Sequence, residues 1–286
     1  MQYVNHSPWI EQLDQTIDFP ALGAHKKSDI TIIWAGIAGV STAFQLLTHT
    51  DLTITLLDGK KIARWATGHN AGQVVLYFER PFQEIVREYW LEKAIDGQKA
   101  LFRWFDVLLE MVDKIGMQEQ LEICEGYMGV RSMQQLIRHL ENKCLRDTGG
   151  AQFDGVLIDQ HWSDIHTLPE NFRDLVTVVD QSFIREKLET NEYFPALMTS
   201  KKACVTSALF CQTALQHPLQ HFSKRLTVHE HSLVSEIRLY PDRANEVWVD
   251  DYKIDSSDVV LCTNGFEHFH IVDLHHSNSR DIDKNF

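Results

Sequence analysis

Between Asp29 and Asp58 the chain alternates in a way that leaves few folds open. The run DITIIW is short, rich in β-branched residues and apolar on both faces, the pattern of a central parallel strand covered by helices on either side. Gly36 and Gly39 punctuate it. The following GVSTAFQLLTH is built of good helix formers, with Val40, Ala43, Phe44 and Leu47 spaced to face one side of a helix. LTITLLD then reads as a second buried strand, ending in the acid Asp58. Strand, glycine turn, helix, strand and acid within about 30 residues make a βαβ unit of the dinucleotide-binding kind.

The chemistry of such a unit follows from its shape. A glycine turn ahead of a helix lets main-chain amides and the positive end of the helix dipole face a pyrophosphate. An acid closing the second strand holds ribose hydroxyls and disfavours a 2′-phosphate, which points to FAD or NAD. Asp58 lies 24 residues after Trp34, near the usual spacing of about 20. The turn itself departs from G-x-G-x-x-G. Trp34, Ala35, Gly36, Ile37, Ala38 and Gly39 read W-A-G-I-A-G, with an indole where the first glycine should make the tight turn.

Three later segments separate these options. In KKIARWATGHNAGQVV, the stretch Ala66, Thr67, Gly68, His69, Asn70, Ala71, Gly72 and Gln73 alternates hydrogen-bonding residues with small ones, so backbone can approach a flat ligand. HEHSLVSEI carries Val234, and VVLCTNGF ends in Thr263, Asn264 and Gly265. Together with the βαβ unit these resemble, in order and over roughly residues 29 to 267, flavoproteins of the D-amino-acid oxidase and glycine oxidase superfamily. An NAD-dependent dehydrogenase would have no role for the A-T-G-H-N-A-G-Q stretch.

The resemblance implies an α/β fold: a Rossmann-like FAD-binding domain with a parallel sheet and an inserted, incomplete α+β substrate domain. It implies FAD as cofactor, with Trp34 to Gly39, Asp58, Gly59, Ala66 to Gln73, Val234, Thr263, Asn264 and Gly265 at binding positions. In the family, the Val234 strand touches adenine through its main chain and the A-T-G-H-N-A-G-Q stretch follows the flavin. The implied reaction is oxidation of a C–N bond in a small-molecule amine or amino acid. Family members continue past the returning strand with more of the substrate domain, whereas only 19 residues follow Glu267. The expected alternative is therefore a catalytically inactive truncated remnant with a defective FAD site. No catalytic residue is identified.

The expected organisation is a leader over 1–28, a first FAD-binding part over 29–85, a helical and substrate-domain insertion over 86–199, a second FAD-binding part over 200–267 and a frayed polar tail over 268–286. Aromatic and aliphatic residues between Arg80 and Gly116 predict two helices. The formal net charge of -13 argues against nucleic acid as a partner. No apolar run approaches the roughly 18 residues of a membrane span. Five scattered cysteines and no visible signal peptide suggest a cytoplasmic protein. His229 with His231, and His268 with His270, form H-x-H pairs that a strand would present on one face. Their spacing matches no zinc motif, so no metal is expected and they read as surface histidines.

Overall fold

The structure, a computed structural model, describes residues 7–152, 154–265, 269–274 and 280–281. They form two compact units, Met1–Gly72 with Thr206–Phe286, and Gln73–Val205.

The first unit contains α1 (Pro8–Glu11), β1 (Lys26–Ile33), α2 (Ile37–His49) and β2 (Ile54–Leu57). It resumes with α6 (Ser207–His221), β8 (Leu226–His229), β9 (Glu236–Leu239), β10 (Asn245–Val249), β11 (Tyr252–Leu261), β12 (His270–Asp273) and β13 (Arg280–Asp281). Its sheet runs β13-β12-β9-β10-β11-β1-β2-β8. The four strands from β11 to β8 are parallel, whereas β10 pairs antiparallel with both β11 and β9. Every residue of β2 is buried, as expected of an apolar strand covered on both faces. Helix α2 buries Val40, Ala43, Phe44 and Leu47, the positions its spacing selects. Phe44 meets the His217 ring of α6 with centroids 5.4 Å apart.

This arrangement aims the glycine turn. β1 lies between β2 and β11, and Ile30–Ile33 are in register with Ile54–Leu57 on one side and Asp258–Leu261 on the other. In open parallel sheets the ligand crevice forms beyond the carboxyl ends of strands where connections diverge, and Trp34 to Gly39 leave β1 at such a point.

Four sequence expectations need correction here. β1 begins at Lys26 rather than Asp29, because Lys26, Lys27 and Ser28 pair with β11 through main-chain bonds that hydropathy does not reveal. The polar tail includes an ordered strand, since His270–Asp273 run parallel to β9. His229 is buried at the end of β8, and His231 lies beyond that strand with φ 50°, so the pair does not share a strand face. Val234 stands in the connection between β8 and β9 rather than on a strand. His268 lies outside the described residues.

The second unit contains β3 (Gln73–Val75), α3 (Phe82–Ile115), β4 (Leu121–Val130), α4 (Met133–Thr148), β5 (Asp154–Asp159), β6 (Thr177–Val179), α5 (Gln181–Leu188) and β7 (Ala196–Val205). β7 is its spine. β4 pairs antiparallel along its whole length, and β3 and β5 pair antiparallel with its two ends. α3 breaks at Trp90 (φ 55°, ψ 163°), giving the two helices that the sequence predicts, and it ends at Gly116 in the left-handed region. α4 starts on Ser132, whose hydroxyl accepts from the Gln135 N–H. Leu136 and Leu140 of α4 pack on Val156, Ile158 and Ala196 of the sheet. Among the described residues no helix is long and apolar enough to cross a membrane.

Candidate dinucleotide site

The end of β1 is locked to its neighbours by main-chain bonds. Trp34 N donates to Leu57 O at 2.7 Å, and Cys262 N donates to Ile33 O at 3.0 Å, which brings the Thr263, Asn264 and Gly265 turn beside β1. Thr263 is buried, and Asn264 and Gly265 both have positive φ. Ala63 N donates to Ala35 O at 3.2 Å, and Ala35 N donates to Asp58 Oδ2 at 2.9 Å. Thr67 Oγ1 accepts from Ile37 N at 2.9 Å, so the loop after β2 caps the first turn of α2. Ile37 and Ala38 are exposed there. Of the positions that the sequence singles out, the turn, Asp58, Thr67 and Thr263 therefore converge in the first unit, whereas Gln73 opens β3 of the second.

Trp34 has φ 83°, in the left-handed region where glycine is at ease and an indole-bearing residue is strained by about 1–3 kcal/mol. Surrounding contacts hold it there. A Cβ added at Gly39 would come within 1.9 Å of Trp34 O, so the helix is seated directly on that carbonyl. Gly39→Ala is therefore expected to destabilise the chain by about 1–3 kcal/mol, at the upper end because backbone must yield, measured as a lower urea midpoint.

The Trp34 side chain does not point into solvent. It is 7% exposed and packs with Leu22, Leu57, Val234, Ile237, Val247 and Phe269. Its ring stacks on Trp65 with centroids 4.8 Å apart and planes 25° apart, and Lys60 Nζ lies 3.9 Å from the Trp65 ring centroid. Trp65 Nε1 donates to Asp58 Oδ1 at 2.9 Å, and the same oxygen accepts from Lys60 N at 2.8 Å. Both oxygens of Asp58 are thus engaged by the protein itself, and the residue is 1% exposed. Burial pushes its carboxyl above the usual carboxylate range, with Glu230 adding to the effect and the three N–H donors opposing it.

The A-T-G-H-N-A-G-Q stretch is also tied inward. Asn70 Nδ2 donates to Thr67 O at 2.9 Å, while its Oδ1 accepts from Gly72 N at 2.7 Å and Ser207 Oγ at 3.0 Å. Ser207 Oγ is also 2.7 Å from Thr67 O, and Ser7 donates to Gly68 O. Sequence reasoning missed Trp65 and Ala63. Ala63 has φ 59°, a second left-handed position filled by a residue other than glycine. The available signal was a second tryptophan seven residues after Asp58, immediately ahead of the quoted stretch.

Two further groups lie close by. Ligating atoms of Asp18, Glu230 and His231 approach one another within 4.8 Å. The oxygens of Glu230 already accept from Ile62 N at 2.7 Å and Phe19 N at 3.1 Å, and Asp18 is paired with Lys61 at 2.7 Å. His229 is 4% exposed, with Nδ1 2.9 Å from Pro20 O, and burial holds its pKa below the ordinary imidazole value. As pH falls below about 6.5 the unfolded chain takes up this proton before the folded one does, so stability is full above that pH and declines below it. His139, depressed by burial and then by Arg138 and Arg146, acts in the same direction. The urea midpoint should therefore fall between about pH 7.5 and about pH 5.5, and His229→Gln should make that fall shallower.

The parallel sheet, the glycine turn at its switch point and the acid closing β2 define an α/β protein with the fold of dinucleotide-binding domains. Residues 29–279 match the family described as DAO, FAD dependent oxidoreductase, and the chain belongs to it. It is similar to glycine oxidase from Geobacillus kaustophilus, with 12% identity and a TM-score of 0.57 over 83% of this chain and 55% of that one. A similar likeness holds for L-amino acid deaminase from Proteus myxofaciens, with 19% identity and a TM-score of 0.57 over 86% of this chain and 47% of that one. In sequence, 112 residues are 25% identical to the probable oxidoreductase OrdL of Haemophilus influenzae, covering 39% of this chain and 26% of that protein. The chain thus spans about half the length of these two solved structures.

The family is FAD-dependent, but the residues present do not fit the adenosine half of that cofactor in this conformation. The acid that would hold ribose accepts from Ala35, Lys60 and Trp65, and the stacked indoles pack in one cluster with Val234.

Proposed function

We propose that this chain keeps the framework of an FAD-dependent amine or amino-acid oxidoreductase without its catalysis, because its dinucleotide site is closed to FAD. The observation that carries this reading is the stacked Trp34 and Trp65 pair, hydrogen-bonded through Trp65 Nε1 to a buried Asp58. Ribose binding would require breaking that bond and displacing an indole that packs on a core cluster. The five cysteines are free, in keeping with a reducing cytoplasm.

A second reading, FAD-dependent oxidation of a C–N bond in an amine or amino acid, is favoured by the exposed first turn of α2 at Ile37 and Ala38. An amide-rich helix start is the part of the site that receives pyrophosphate. The visible absorption spectrum of the purified chain, with and without added FAD followed by desalting, decides between the two. The closed-site reading expects no retained flavin. Stoichiometric flavin would overturn it in favour of the second, which a screen of amines and amino acids for oxidation would then test.

A further inference from the structure

The second unit contains a 590 Å³ cavity formed by α4, the residues leading into α3, and strands β4 and β7. That volume lies within the range of about 300–1,000 Å³ typical of small-molecule sites. One wall is a single face of α4, where Arg138, Asn142 and Arg146 recur at intervals of four. Phe78 and Phe82 form an apolar side, and Met128 and Met198 supply another. Met128 is 43% exposed, an unusual position for a methionine over a sheet that α4 otherwise covers.

The charges around the cavity are not equivalent. Arg146 is paired with the buried Asp154, and Arg80 with Glu88 at 2.8 Å and Glu84 at 4.0 Å. Among the described residues, neither Arg138 nor Lys202 forms an ion pair. The Lys202 stem is routed over Gly126, where an added Cβ would come within 2.7 Å of its Cε, so this glycine makes room for the lysine on the cavity side of the sheet. In a chain of net charge -13, two cations without carboxylate partners beside an apolar pair of walls mark a site for the opposite charge. Glu79 also lines the cavity and disfavours multiply charged anions.

We propose that this cavity binds a small organic monoanion, a carboxylate on an apolar body, with Arg138 and Lys202 receiving the carboxylate and the Phe and Met side chains receiving the body. The site lies wholly within the second unit, so it does not rest on the closed-site reading of the first.

Calorimetric titration of the full chain with phenylacetate, phenylacetamide and inorganic phosphate tests this. Phenylacetate should bind saturably, and Arg138→Gln and Lys202→Gln should each weaken it about tenfold, the scale of one charge-assisted contact. Phenylacetamide should bind at least about tenfold more weakly to the unchanged chain. Gln134→Ala, an exposed α4 position outside the cavity lining, should leave binding unchanged. No binding of phenylacetate, equal binding of its amide, equal binding of phosphate, or undiminished binding in both charge variants would overturn the proposal. Arg138 is exposed, and circular dichroism of each variant establishes that any loss is not unfolding.

Discussion

A chain carrying both Trp34→Gly and Trp65→Gly is expected to retain FAD through desalting, with an affinity at least about a hundredfold above that of the unchanged chain. Each substitution removes a different obstacle. Trp34→Gly places a glycine at φ 83° and takes an indole away from Leu57 and Val234. Trp65→Gly frees Asp58 Oδ1 from the indole N–H and removes the ring under Lys60. Either change alone leaves one ring in the space, so each single variant should bind much less tightly than the double one. The stability cost is large, because deleting a buried aromatic side chain removes about 3–5 kcal/mol, offset by about 1 kcal/mol or more from relieved backbone strain. Urea unfolding in parallel therefore belongs to the experiment. A folded double variant that binds no FAD would show that something other than the indoles closes the site, and stoichiometric flavin in the unchanged chain would show that it is not closed.

The closure also shows where sequence reading loses sight of structure. The βαβ unit was legible because it is periodic: DITIIW and LTITLLD announce two-faced burial, and Val40, Ala43, Phe44 and Leu47 announce a helix face. The departure at Trp34 was legible too, since a fingerprint says which backbone position wants a positive φ. What the indole would do was not. Whether Trp34 swings outward or turns into the sheet depends on Trp65, Val234 and Phe269, which lie 31, 200 and 235 positions further along the chain. The destination of Asn70 was hidden for the same reason. Its amide suits a ligand as well as its own turn, and only Ser207, 137 residues later, shows that the fold already uses it. Histidines mislead in the opposite direction. His229 sits in a polar-looking HEH triplet, but β8 ends there and buries its ring, with Nδ1 at Pro20 O.

Asp154→Ala is expected to destabilise the chain by about 3–5 kcal/mol, the scale for removing one partner of a buried ion pair. The Asp154 side chain is 3% exposed, and it faces Arg146, 9% exposed, and Lys143, 11% exposed, whose Nζ lies 3.6 Å from Asp154 Oδ1. Lys143 keeps other company, since Nζ contacts Asp147 at 2.9 Å and donates to Asp154 O at 2.9 Å. The Arg146 guanidinium also lies 5.8 Å from the Phe82 ring centroid. The penalty therefore reports the cost of breaking a buried pair, a different quantity from the net worth of that pair. A double variant, Arg146→Met with Asp154→Leu, separates these quantities in urea unfolding. It should recover most of the loss, because apolar replacements of buried ion pairs are often neutral or stabilising. A double variant no more stable than Asp154→Ala alone would mean that the pair itself, rather than the cost of breaking it, holds α4 to β5.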